Sequence, residues 1–244
     1  MNLLLIDTCG ATGSLALADS ARPLAVATLP GRSAAERLVP AIHSLAAQAG
    51  VALHSLDAIA VVHGPGSFTG VRVGLSAAKG LCHALNLPLV AISRLAVLAS
   101  LAQKGVPHSS RSHRDGWGTQ IRALLDAGRG EFYSGLYAAG LCLRESLLTR
   151  GQLLAEQGRE EAQLVVCEPA VAQSIAELNP RLVAEPSAAD ALPLALARIR
   201  QCAFDDPATI DANYLRRTDA EIFAKPVAAA VPHPSASHPG SQSR

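Results

Sequence analysis

Aromatic side chains are scarce in this sequence: one Trp, three Tyr and four Phe among 244 residues. Stacking platforms of the kind that hold single-stranded nucleic acid are thereby excluded. An excess of either charge is missing too, because 21 Lys and Arg against 20 Asp and Glu leave a formal charge of +1. Bulk electrostatic capture of nucleic acid has no footprint here, and any such role requires a local patch or a partner. The five cysteines, Cys9, Cys82, Cys142, Cys167 and Cys202, are odd in number and include no C-x-x-C pair. They read as reduced, mostly buried thiols, neither a disulfide framework nor a zinc site. No apolar run reaches the ~18 residues that a membrane-spanning helix needs. The N-terminal run Leu3 to Ile6 is too short for a signal peptide and lacks a basic segment before it. A soluble cytoplasmic protein that does not engage membranes is the reading.

What is present is Ala, Leu and Val, within a 49% apolar composition. A chain of this length removes about 70–75% of its extended surface from water on folding, so its core needs no metal or disulfide. Leu3–Ile6, Ser14–Ala18 and Leu24–Leu29 are short apolar runs broken by Thr12-Gly13 and by Asp19 to Pro23, which predicts an antiparallel meander of three strands. The period then changes. Ser33-Ala34-Ala35-Glu36 has the pattern of a capping box, and Leu38, Ile42, Leu45 and Ala49 follow at helical spacing up to Gly50. Pro40 removes a backbone donor inside that helix and predicts a kink. Ala58–Val62 reads as a buried strand, then come the loop His63 to Gly70, a helix to Leu85, a strand Leu89–Ile92 and a helix Ser93 to Gln103. The order β-β-β-α-β-α predicts a mixed five-stranded sheet with right-handed crossovers.

Residues 104–118 are polar, Gly-rich and weakly basic, and they predict a connecting loop between a first lobe, 1–103, and a smaller second lobe, 119–224. In the second lobe Ile121–Asp126, Glu131–Tyr137 and Leu141–Leu147 form another meander, turned by Gly128-Arg129-Gly130, with shorter αβ units following. The stretch 225–244 holds four Pro and four Ser and no acidic residue. Such a segment predicts a disordered tail.

Two places could bind an anion. Asp7-Thr8-Cys9-Gly10 ends the first strand, where turn amides could take a phosphate and Asp7 its Mg²⁺; the alternative is that Asp7 and Thr8 only shape the turn. The loop Gly64-Pro65-Gly66-Ser67-Phe68-Thr69-Gly70 opens a helix, but its spacing is neither a Walker A loop nor a Rossmann fingerprint. Behind it Gly70, Gly74 and Ala77 form a stripe of small residues. It either admits a partner helix or packs on its own sheet. No two histidines fall at the i, i+4 spacing of a helical metal pair, and no Gly-x-Ser-x-Gly elbow occurs. Lys104, Arg111 and Arg114, with His108 and His113, sit in the polar loop, and His233 and His238 in the tail; all read as solvated side chains.

The segment His63 to Leu81, HGPGSFTGVRVGLSAAKGL, closely resembles the hallmark of the TsaB (YeaZ) family. Leu5-Ile6-Asp7-Thr8, Ala35-Glu36-Arg37-Leu38-Val39-Pro40, Asp126 to Tyr133 and the closing Asn213-Tyr214-Leu215-Arg216-Arg217 carry the same resemblance over residues 1–224. Gly128 departs from it, standing where a bulkier or charged residue is anticipated. The resemblance implies an α/β ASKHA (actin and Hsp70-like) architecture of two ribonuclease-H-like lobes. It implies a non-catalytic subunit in the threonylcarbamoylation of the adenosine 3′ of the anticodon in tRNAs reading codons that begin with A. Its partners would be the transferase TsaD and the ATPase TsaE, or a second copy when TsaD is absent, with tRNA met mainly through the complex. The interface it implies involves Arg37, Val39 and His43 of the first helix and Gly70, Val73, Gly74 and Ala77 of the next. No cofactor is required, and Asp7 and Thr8 would hold Mg-ATP or ADP only weakly. TsaD-like sequences place a His-x-x-x-His metal pair after the strand that follows the Gly-rich helix. Those positions fall on Arg94 and Leu98, neither of which can ligate that metal. Two other classes are an ATP-binding ASKHA-type small-molecule kinase and a glycoprotease-like metallopeptidase, the latter disfavoured by the missing histidines.

Overall fold

A computed structural model of the chain describes residues 1–30, 34–103 and 120–216. Ser33, the loop 104–118 with its Lys104, Arg111, Arg114, His108 and His113, Arg217, and the tail 225–244 with His233 and His238 lie outside the described residues.

The first meander is β1 (Leu3–Asp7), β2 (Thr12–Ala18) and β3 (Pro23–Pro30), followed by helix α1 (Ala34–Ala49), strand β4 (Ala58–Val62), helix α2 (Phe68–Leu85), strand β5 (Leu89–Ile92) and helix α3 (Arg94–Gln103). β1 is antiparallel to β2 and parallel to β4, which is parallel to β5, giving the sheet order β3-β2-β1-β4-β5. Every residue of β1, β4 and β5 is buried, as strands covered on both faces require. α1 continues through Pro40 to Ala49. α2 begins where the Ser67 hydroxyl accepts the Gly70 amide and stops where Asn86 turns left-handed at φ 53°.

The second half repeats the plan. β6 (Ile121–Gly128), β7 (Glu131–Ala138) and β8 (Leu141–Thr149) form the meander, then helix α4 (Arg150–Gln157), strand β9 (Gln163–Val166), helix α5 (Pro169–Ser174) and strand β10 (Arg181–Leu182) follow. The order β8-β7-β6-β9-β10 matches the first sheet strand for strand, with the same parallel and antiparallel pairings. Two ribonuclease-H-like lobes are therefore present. The β6–β7 turn runs through Gly128, Arg129 and Gly130 at φ 73°, 60° and 77°. That left-handed path explains the glycine at 128, where a bulkier residue was anticipated.

The chain boundary at 103/104 does not coincide with the boundary between cores. From α3, Leu95, Leu98, Ala99 and Ala102 pack on Ile121, Ala123, Leu125 and Val165 of the second sheet. Conversely, a short 3₁₀ turn at Ala188–Ala191 and helix α6 (Leu192–Arg200) send Ala188, Leu192, Ala195 and Leu196 into the core of the first. α3 is buried on nearly all sides for this reason, and the lobes are interdependent. The free edge of β5 is closed by Asp205, whose amide donates to the Leu89 carbonyl at 2.9 Å and whose carboxylate accepts from the Ala91 amide at 2.7 Å.

Candidate functional site

A cleft of about 720 Å³ opens between the lobes at the carboxyl end of β1, the edge of a parallel sheet at which ligands generally sit. Thr8, Cys9 and Gly10 of the β1–β2 turn and Ser67 and Thr69 at the head of α2 form one wall. Asp126, Cys167 and Glu168 of the second lobe form the other, with Arg94 and Glu185 between them.

Asp7 is buried at 3% exposure and is not among the residues that line this cleft. Its Oδ1 accepts the Cys9 amide at 2.8 Å. Burial raises its carboxyl pKa above the ordinary value, while the Arg94 charge pulls the other way. Thr8 reaches the cleft, but its hydroxyl donates to the Gly70 carbonyl at 2.6 Å. Thr8 thus holds the turn against the head of α2, while Asp7 shapes the turn itself through the Cys9 amide.

The stripe of small residues on α2 also has an internal explanation. A Cβ on Gly70 would lie 2.0 Å from the Thr8 carbonyl oxygen, and one on Gly74 would lie 2.3 Å from the Thr8 hydroxyl. Gly70 and Gly74 are glycine because α2 crosses β1 at that distance. This close approach is what the own-sheet alternative for the stripe requires, with Gly74 buried and Gly70 half-buried. Val73 and Ala77 are half-buried and pack on the same core. Arg37, Val39 and His43 of α1 are exposed, Val39 at 50%. α1 packs beside α2, so these residues and the outer edge of α2 belong to one side of the molecule.

Arg94 and Leu98 occupy the first turns of α3. Leu98 is completely buried in the second core, and the Arg94 side chain, 5% exposed, donates from Nη2 to Glu185 Oε1 at 2.9 Å. Among the described residues no three His, Cys, Asp or Glu side chains converge as metal ligands would. Cys9, Cys82 and Cys167 are buried free thiols, whereas Cys142 and Cys202 are exposed. Burial pushes the Cys82 and Cys167 thiols up to about 11, so neither supplies a thiolate at neutral pH.

Sequence reasoning left three polar groups unassigned. Glu168 and Glu185 stand on connecting segments with no periodicity to mark them. The third, Glu145 on β8, accepts from the Ser93 and Tyr137 hydroxyls and, at 2.6 Å, from Asn213 Nδ2. The closing segment accordingly ties both lobes together. Tyr214 accepts from Arg72 Nε on α2 at 2.7 Å, and Arg216 donates to Glu131 on β7 at 2.6 Å.

A crystal structure from Pseudomonas aeruginosa, of a protein described as similar to the peptidase YEAZ, matches with 30% identity over 88% of this chain and 99% of its own, at a TM-score of 0.71. The chain belongs to the TsaB/YeaZ family. A second TsaB/YeaZ structure, YeaZ from Pseudomonas aeruginosa, is 28% identical over 86% of this chain and 98% of its own, with a TM-score of 0.65. Bacillus subtilis TsaB, a tRNA threonylcarbamoyladenosine biosynthesis protein, is 37% identical over 56% of this chain and 55% of its own length. The chain spans about half the length of the curated TsaB relatives it matches. The family model described as TsaD, tRNA N6-adenosine threonylcarbamoyltransferase, matches residues 28–144, as a paralogue of TsaB would. Among the described residues no helix is long and apolar enough to cross a membrane.

Proposed function

We propose that this chain is a non-catalytic subunit in the threonylcarbamoylation of the adenosine 3′ of the anticodon in tRNAs that read codons beginning with A. It acts by pairing with a TsaD-like transferase and by supporting the binding of a TsaE-like ATPase; without the transferase it pairs with a second copy of itself. The observation that carries this reading is what has become of the transferase's metal positions. Arg94 is a buried guanidinium paired with Glu185 and Leu98 belongs to the core, so the chain keeps the two-lobed frame while these positions supply no metal ligand. The membership of the chain in the TsaB/YeaZ family supports the pathway.

The partner surface is the exposed side of α1 with the outer edge of α2. Val39 is its apolar centre, flanked by Arg37 and His43 and by the half-buried Val73 and Ala77. What supports this placement is the resemblance of the Ala35 to Pro40 segment to the TsaB/YeaZ family, together with the exposure of Val39 beside α2. Gly70 and Gly74 contribute indirectly, by seating α2 close to β1. No cofactor is required. With one aromatic-poor lobe pair and a balanced charge, tRNA is met mainly through the complex, and the protein works in the cytoplasm. Co-purification with the transferase tests the pairing: Val39→Glu should abolish it in a protein that remains folded, and undiminished pairing would remove α1 from the interface.

A further inference from the structure

The Arg94–Glu185 pair has an unusual disposition. The two residues are 91 positions apart, and their exposures are very unequal: the Arg94 side chain is 5% exposed and that of Glu185 47%. The guanidinium is the inner member, and the carboxylate is the outer one, facing the water of the cleft that both residues line. The pair lies against the β1–β2 turn, because a Cβ on Gly10 would fall 2.6 Å from Arg94 Nη2 and 2.5 Å from Glu185 Oε1. Arg94 Nε is buried without a hydrogen-bond partner. The buried Asp7 carboxylate also acts on the Arg94 charge, but among the described residues Glu185 is the one carboxylate hydrogen-bonded to it, which leaves the Nε donor unused. Glu185 comes from residues 183–187, which have no regular secondary structure, so no helix or strand holds its side chain in place.

We propose that Arg94 is an oxyanion-binding residue whose site is occupied by the chain's own Glu185, and that a small ligand bearing a single phosphate or carboxylate group displaces Glu185 from it. The exchange conserves charge at Arg94 for a carboxylate and for a phosphate group in its singly charged form, since one unit of negative charge leaves as another arrives. The turn amides beside Gly10 and the head of α2, both on the cleft wall, add donors and a favourable dipole for the incoming group. Asp126 and Glu168 on the opposite wall set the selectivity. They repel a second anionic group, so a monoanionic ligand is accepted and a polyphosphate is disfavoured. A cleft of about 720 Å³ has room for a small organic molecule that carries one such group. This inference is independent of the scaffold reading, because binding is measured on the isolated full chain.

Calorimetric titration with inorganic phosphate, and separately with acetate, tests it on the wild type, Glu185→Ala, and the Glu185→Ala, Arg94→Met double variant. Loss of Glu185 should tighten binding of at least one probe tenfold or more, and loss of Arg94 should abolish that gain. Which probe gains identifies phosphate or carboxylate as the preferred group. Equal affinities in wild type and Glu185→Ala, or a gain that survives in the double variant, would overturn the proposal. Should the double variant not fold, Glu185→Gln supplies the same test by melting. Added probe should raise its midpoint more than that of the wild type, and an equal rise would count against displacement.

Discussion

Gly74 meets Thr8 so closely that a Cβ on the glycine would stand 2.3 Å from the threonine hydroxyl, which itself donates to the Gly70 carbonyl at 2.6 Å. One contact thus fixes the spacing of α2 from β1, the path of the first turn and one wall of the cleft. Gly74→Leu is therefore a stability variant. It should cost at least ~1–3 kcal/mol through overpacking, read as a lowered urea midpoint. A midpoint equal to that of the wild type, with pairing lost, would restore Gly74 to the partner surface.

Val39 offers the complementary case. It is 50% exposed on α1 and makes no part of the first core. Val39→Glu should change folding stability by no more than about 0.5 kcal/mol, while eliminating co-purification with a TsaD-like partner. Urea unfolding and affinity capture, run on the same preparation, separate the two effects.

Tyr214 should behave as a latch. Its hydroxyl accepts from Arg72 Nε, and the Arg72 guanidinium lies 3.6 Å from the centre of the Phe68 ring. Tyr214→Ala removes the hydrogen bond and one aromatic neighbour, a loss of about 1–2 kcal/mol. Hydrogen exchange should show amide protection reduced first along residues 211–216.

Asp7 makes a prediction about pH. Burial raises its folded pKa above the ordinary 3.8, so between that value and the raised one the folded state binds more protons than the unfolded. Its contribution to stability is therefore greatest in acid and falls as pH rises through that window. Asp7→Asn, which keeps an oxygen for the Cys9 amide, should flatten this part of the stability profile. A profile identical to that of the wild type in denaturation midpoints between pH 4 and pH 7 would contradict the assignment.

The strands were readable because buried parallel strands leave short apolar runs with clear punctuation. Ala58–Val62 lies between Asp57 and the glycine loop, and Leu89–Ile92 between Pro88 and Ser93; both have the bounds their composition predicted. The allegiance of α3 was not readable. Leu95, Val97, Leu98, Ala99 and Ala102 are apolar around most of the helix, so periodicity marks a helix without saying which sheet it covers. The glycine stripe was ambiguous for a related reason, since a helix that nears its own strand and one that nears a partner need the same small residues. Beside the cleft, Asp7 and Thr8 were visible as a motif, yet the hydrogen bond that occupies the Thr8 hydroxyl depends on Gly70, 62 residues away. Arg94 was visible in the sequence as the residue at a metal position of the transferase, but not as half of an ion pair. Its partner Glu185 lies 91 residues away on an irregular segment, where no local pattern marks it.

Reconstituted threonylcarbamoylation of tRNA, with a TsaD-like transferase and a TsaE-like ATPase present and this chain added, omitted or replaced by Val39→Glu, tests the central claim most directly. The account predicts modification that requires both the transferase and the wild-type chain, that falls to background with Val39→Glu, and that this chain never produces without the transferase. Modification by this chain in the absence of the transferase, or full modification when the chain is left out, would contradict it.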